Sequence, residues 1–196
     1  MEAFLGSTEI IDWEHRSVFS KAKELSEPTT DATEVARRCF EWVRDNIQHS
    51  FDFKRNPTTC SASQVLLNET GYCYAKSHLL AAPLRANGIP AGFCYQRLSI
   101  DETGPPYALH GFSAAYLPEF GWYRMDSRGN KPGVDAQFSP PIERLAFQLI
   151  FPETERDFPD ILTDPLPVVV TALRAHRTWD AMLQNLPDWD YPTLNA

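Results

Sequence analysis

With 196 residues, 43% of them apolar and 22% charged, the chain has the balance of an ordinary globular protein with enough length for one well-buried core. A formal charge of −8 repels a phosphate backbone, so no nucleic acid partner is expected. No run approaches the roughly 18 unbroken apolar residues of a membrane span, and the segment from Met1 to Ser7 has neither a basic start nor a long apolar stretch; no membrane partner is expected, and the expected location is cytoplasmic.

The first strong helix is expected from Asp31 to Ile47. Asp31 with Glu34 reads as a capping box, and Val35, Cys39, Val43 and Ile47 recur at one-turn spacing, which makes Cys39 a small core hydrophobe. A second helix is expected from Cys73 to Ala86, ended by Gly88, with Pro83 bending or shortening its last turn. After Gly88-Ile89-Pro90 the pattern turns to short β runs: Ala91 to Arg97, Leu109 to Leu117 and Gly121 to Asp126. The last two are joined hairpin-fashion through Pro118-Glu119-Phe120, and Asp101 to Pro106 forms a polar, turn-rich surface loop. Beyond Asn130 the chain is rich in proline. One further helix is expected from Pro165 to Leu186, with Asp164 as N-cap and Val169, Leu173, Trp179, Leu183 and Leu186 as its buried stripe. Helices followed by antiparallel strands predict an α+β fold. The chain reads as one domain over 1–196, with its core at about 35–130 and a Pro-rich, helical extension at about 131–196.

The four cysteines, at 39, 60, 73 and 94, include no close C-x-x-C pair, and nothing reads as a calcium loop, so no metal or other cofactor is expected. A disulfide framework is not expected in a chain of this size without a signal peptide.

Cys73 follows Gly71-Tyr72 and opens a helix, where unpaired backbone N–H groups and the helix dipole favour negative charge on sulfur. Gly71 lets the backbone turn closely into that helix. Its partner must come from His15, His49, His78, His110 and His176. His110, at the start of a predicted strand, can pack across from the helix, whereas His78 projects about 140° around from Cys73. Asp126, at the end of the hairpin partner, can lie beside His110 and orient its ring. On spacing alone the plainer account stands ahead: a buried structural cysteine, a hydrogen-bonded strand histidine and a turn aspartate.

Gly71-Tyr72-Cys73, Arg85-Ala86-Asn87-Gly88-Ile89-Pro90-Ala91, His110 and Gly121-Trp122-Tyr123-Arg124-Met125-Asp126 together resemble the transglutaminase-like superfamily over about residues 35 to 130. That resemblance implies a papain-like core in which a helix carrying the cysteine packs on an antiparallel sheet carrying His and Asp. It also implies a catalytic triad of Cys73, His110 and Asp126. Phe112 and Ala114 after the histidine, and Tyr74 to Lys76 after the cysteine, depart from the residues frequent in the family, so a different acceptor pocket is expected. The Cys73 N–H or Gln64 would serve as oxyanion donor, although Gln64 reads equally as a solvent-facing helix residue, and Tyr72, Tyr74 or Trp122 would wall a substrate groove.

The expected function is acyl transfer or amide hydrolysis on a peptide-like or amide-containing substrate, through a cysteine nucleophile. Two alternatives are an arylamine N-acetyltransferase-like acyltransferase, disfavoured by the lack of an R-G-G-x-C phrase, and a non-catalytic binding or scaffold protein that keeps the fold. Coenzyme A release would single out the former, and an inert Cys73 the latter.

Overall fold

A computed structural model of the chain describes residues 1–101 and 103–190. In its first half, residues at one-turn spacing gather on single helix faces. Helix α1 (Arg16–Ser26) buries Val18, Ala22 and Leu25, and α2 (Ala32–Asn46) buries Val35, Ala36, Cys39, Phe40 and Val43. Each buried side chain of valine-to-phenylalanine size contributes about 1.5–3 kcal/mol, so the stripe outweighs the weak intrinsic propensity of either helix.

Asp31 caps α2 as expected, accepting from the Thr33 N–H at 3.0 Å. The reciprocal half of the expected box is absent. The Asp31 N–H already donates to Thr29 Oγ1 at 3.1 Å, and Glu34 turns to the guanidinium groups of Arg37 and Arg38 at 2.7 and 2.8 Å.

Next come a two-residue strand β1 (Gln48–His49), the single turn α3 (Ser50–Phe53), α4 (Ala62–Asn68) and a second short strand β2 (Thr70–Gly71). β1 and β2 pair in parallel, with His49 opposite Gly71.

Helix α5 (Cys73–Ala86) fills its expected span and is buried from Cys73 to Arg85. A helix that is apolar on all sides must be surrounded, and α1, α2, α4 and the sheet all pack on it. Pro83 does not end it early: α5 runs on to Ala86, and the Asn87 N–H closes the last turn on Pro83 O at 3.2 Å and Leu84 O at 3.1 Å.

The strands β3 (Ala91–Ser99), β4 (Tyr107–Leu117) and β5 (Gly121–Met125) form an antiparallel sheet, and β6 (Arg156–Asp157) completes the order β5-β4-β3-β6. β3 and β4 extend beyond the expected spans because the register also pairs Leu98 with Ala108 and Ser99 with Tyr107. Residue 102 of the intervening loop lies outside the described residues.

The long helix expected after Asp164 is two short ones, α6 (Pro167–Ala175) and α7 (Trp179–Leu183). Leu166, not Asp164, stands at the N-cap position of α6, with Pro167 in the first turn. The break follows from Thr178, whose hydroxyl accepts from the Ala181 N–H at 3.4 Å and starts a new helix, while His176 is extended. Val169, Leu173 and Met182 from this region join the core cluster that includes α1, α2 and α5 side chains. Residues 191–196 of the expected extension lie outside the described residues. Among the described residues, no helix is long and apolar enough to cross a membrane.

Candidate active site

Cys73 is the first residue of α5, and its N-cap, Tyr72, supplies no side-chain cap. The first-turn N–H groups are therefore free to face an anion. Gly71 makes this entry possible, since a Cβ there would come within 3.1 Å of Ala75 Cβ and 3.3 Å of Thr59 Oγ1. The buried Lys76 ties the same helix to α2: its ammonium donates to Ile47 O and Arg44 O, carbonyls at the end of that helix. Burial and the Arg128 charge bring Lys76 down to about 7 against the pull of Asp126, Asp45 and Asp52.

His110 lies on β4 with its Nε2 at 2.7 Å from Asp126 Oδ2. Nδ1 is the ring nitrogen that Asp126 does not engage, and Cys73, on the same cavity, acts electrostatically on the imidazole. Phe147 packs edge-on at 4.9 Å and Phe112 stacks at 5.8 Å, so the imidazole is fixed between two aromatic rings. Asp126, immediately after β5, is 1% exposed. It also accepts from the Arg128 N–H at 3.0 Å and the Ala146 N–H at 3.1 Å. Burial opposes its ionisation, but His110 and these two amides overcome that and hold the carboxyl below its usual range. For His110, burial opposes the cation, yet Asp126 and Cys73 together raise it to about 10.

The other cysteines are set apart by their surroundings. Burial alone pushes Cys39 up to about 12, and burial dominates at Cys60 and Cys94, which reach about 11 and 12.

Cys73 and His110 open onto a cavity of about 270 Å³ walled by apolar side chains, among them Tyr72, Tyr74, Phe51 and Phe147. Leu183 and Leu186 of the C-terminal region form part of the wall, and the Tyr72 hydroxyl binds α7 to the site by donating to Trp179 O.

A family model described as the Transglutaminase-like superfamily matches residues 20–127, more than half of the chain. The chain belongs to this superfamily. Among solved structures, a proposed cysteine protease from Cytophaga hutchinsonii aligns with TM-score 0.50 and 21% identity over 64% of this chain and 40% of that one. The periplasmic domain of TgpA from Pseudomonas aeruginosa, bound to ethylmercury, aligns with TM-score 0.47 and 18% identity over 63% and 46% of the two chains. The present chain thus spans less than half of either structure. No curated protein matches it. The fold is α+β with the transglutaminase-like, papain-like arrangement of a cysteine-bearing helix on an antiparallel sheet.

Within this transglutaminase-like frame, two of the expected site residues lie elsewhere. Gln64 is exposed and forms the capping box of α4: its Oε1 accepts from the Cys60 N–H at 3.0 Å and the Ser61 N–H at 3.3 Å, and it is not among the residues lining the cavity. Trp122 pairs with Tyr116 across β4 and β5, and its ring meets Phe4 at 4.7 Å and Tyr116 at 5.9 Å. Tyr116 is six residues along β4 from His110, about 20 Å at the rise of an extended strand, so Trp122 cannot wall the thiol's cavity. His78 points away from Cys73 as the helical geometry requires, with Nδ1 on Cys60 O at 2.7 Å.

Two cavity features had no signal in the spacing. His49 lines the cavity from the short strand β1. Arg128 lines it from the turn after Asp126 and holds Asp52 at 2.7 Å. The family phrases end near Asp126 and do not include them. Only the register of β1 against β2, invisible in two-residue strands, sets His49 beside Gly71 and on the cysteine's cavity.

Proposed function

We propose that the chain is a cysteine-nucleophile enzyme that transfers or hydrolyses the acyl group of a peptide-like or amide-containing substrate. The observation that carries this reading is that Cys73 and His110 line one largely apolar cavity while Asp126 holds the far nitrogen of His110 at 2.7 Å. The Cys73 sulfur attacks the carbonyl carbon, and the oxyanion faces the Cys73 N–H at the start of α5. His110, held as the imidazolium by Asp126, gives its proton to the departing amine as the thioester forms. Neutral His110 then takes a proton from the water or amine that releases the acyl group. The aromatic and aliphatic walls keep bulk water from the thioester until the acceptor enters. All four thiols are free, which suits a reducing compartment such as the cytoplasm.

The test combines labelling with turnover. Limited iodoacetamide treatment of the native protein is expected to modify Cys73 before Cys39, Cys60 or Cys94. Incubation with lysate proteins, followed by mapping of new termini and of incorporated amine probe, identifies the acyl donor. Cys73→Ala and His110→Ala are expected to abolish that activity and Asp126→Ala to leave a small residue of it. A folded His110→Ala variant with the wild-type rate would overturn the reading.

A further inference from the structure

The triad leaves one buried imidazole of the same cavity without a task. His49 is 6% exposed, stands beside Gly71 in the β1–β2 pair and packs edge-on against Tyr72 at 5.5 Å. It lines the cavity together with Cys73 and His110. Its Nδ1 is buried with no hydrogen-bond partner, and the group nearest in charge is Asp52, whose Oδ2 is 3.5 Å away. Asp52 in turn is clamped by Arg128 Nη1 at 2.7 Å and Nη2 at 3.2 Å, and by Lys131 Nζ at 2.7 Å. Burial raises the Asp52 carboxyl, but these two cations more than offset it and bring it to about 2, so the carboxylate is permanently charged.

A fixed negative charge beside Nδ1 favours the tautomer with its proton on that nitrogen. Nε2, on the opposite side of the ring from that carboxylate, then carries a lone pair. Burial, with Arg128, Lys76 and His110 adding positive charge around it, outweighs Asp52 and holds His49 well below the usual histidine range. It is therefore a neutral acceptor at physiological pH, the complement of the cationic His110. Two imidazoles with opposite hydrogen-bonding character line the cavity of one thiol.

We propose that His49 is a substrate-binding residue whose Nε2 accepts a hydrogen bond from a carboxamide N–H of the acyl donor, with Asp52 as its positioning residue. This rests on the acyl-transfer reading above and narrows it to carboxamides that carry an N–H, as opposed to esters or fully substituted amides. The contact also strengthens along the reaction. As the amide nitrogen takes a proton from His110 and becomes cationic, its own N–H becomes a better donor, so the bond is tighter in the transition state than in the bound substrate.

The probes are iodoacetamide, which carries the N–H, and 2-iodo-N,N-dimethylacetamide, which lacks it; both alkylate Cys73 with the same leaving iodide. The ratio of their rates at Cys73 in the full chain is compared with their ratio on glutathione. Wild type is expected to favour iodoacetamide beyond glutathione by about two- to tenfold. His49→Phe is expected to return the ratio to that of glutathione, and His49→Gln, which keeps an acceptor oxygen, to retain part of it. A folded His49→Phe protein with the wild-type ratio overturns the proposal. A measurement on the wild-type protein covers the case in which the variants do not fold. In long-range 1H–15N spectra, His49 is expected to be neutral and protonated on Nδ1 at pH 7, and an Nε2-protonated or cationic ring overturns the proposal. Because both readouts need no turnover, a protein that passes them but releases no acyl product refutes the acyl-transfer reading alone.

Discussion

At Gln64 two demands compete for one amide. As an oxyanion donor it would need a free side-chain N–H at the thiol, but its Oε1 is committed to the Cys60 and Ser61 N–H groups at the start of α4. Ser61 returns the favour by accepting from the Gln64 N–H at 3.3 Å. The sequence Ser61-Ala62-Ser63-Gln64 carries the S-x-x-Q pattern of this motif, so the structural role is written locally, without reference to the rest of the chain. Gln64→Ala is expected to lower stability by about 0.5–2 kcal/mol, read from the urea midpoint, and to leave kcat/KM unchanged. A hundredfold loss of kcat with no change in the midpoint would return the residue to the oxyanion site. His49 is the opposite case: a residue whose neighbours in sequence say nothing of its place, because its role arises from a strand pair and from Asp52, Arg128 and Lys131.

Among the elements, the contact between α5 and β4 decides whether the thiol meets the imidazole. Gly111 sits next to His110 where β4 packs against Tyr74 of α5. A Cβ there would lie 2.8 Å from Tyr74 Cδ1, 3.2 Å from Tyr95 Cε1 and 3.4 Å from the Tyr74 Cα. Tyr74 cannot easily yield, since its hydroxyl is bonded to Leu109 O on the same strand. Gly111→Ala is therefore expected to lift the start of α5 from the sheet and carry Cys73 with it. The cost is about 1–3 kcal/mol of stability by overpacking. It comes with a loss of up to about a hundredfold in kcat/KM, because misplacement of about 1 Å is enough to spoil a catalytic geometry. Denaturant titration and steady-state kinetics on the same sample check both, and an unchanged rate would mean that the helix start tolerates displacement.

For the whole molecule the buried histidines set an expected pH profile of stability. An unfolded histidine titrates near 6.5, but burial holds His78 to about 4 despite its bond to Cys60 O. Between those values the unfolded chain takes up a proton that the folded chain refuses, so stability falls as the pH drops through 6.5 and levels off below 4. The loss is about 3 kcal/mol for this residue, and His49 adds to it in the same direction. His110 acts oppositely: raised to about 10, it contributes stability that is complete below 6.5 and lost as pH rises through its folded value. Asp126, held below 3.8, contributes stability above that value, which disappears only as the pH falls through its lower folded value. Lys76, brought down to about 7, offsets His110, because above 7 the unfolded chain keeps a proton that the folded chain has given up; the urea midpoint is therefore expected to fall as the pH drops below 6.5 and to change little just above 7. His110→Gln is expected to leave the acid limb in place and to let the midpoint rise with pH between about 7 and 9, where Lys76 is then unopposed; a flat profile in that variant would assign the balance to other groups.

Local patterns alone determined the α+β class, the boundaries of α5 and the hairpin of β4 and β5. Each is fixed by neighbours in the chain: a glycine before a helix start, one-turn apolar recurrence and a short turn between alternating runs. The family phrases, anchored at Cys73, His110 and Asp126, named a histidine and an aspartate that lie 2.7 Å apart and a cysteine that lines the histidine's cavity. Tertiary structure decided the rest. Thr178 divides the last helix, and only packing shows that Leu183 and Leu186 line the cavity. Trp122, on a strand next to His110, is carried out of reach by the length of β4. His49 joins the thiol's cavity through a two-residue parallel pairing, too short to leave a periodic trace, and its ionic surroundings come from residues 52, 128 and 131. Period and capping are local properties of a chain, whereas a shared cavity depends on distances between segments that only the folded packing sets.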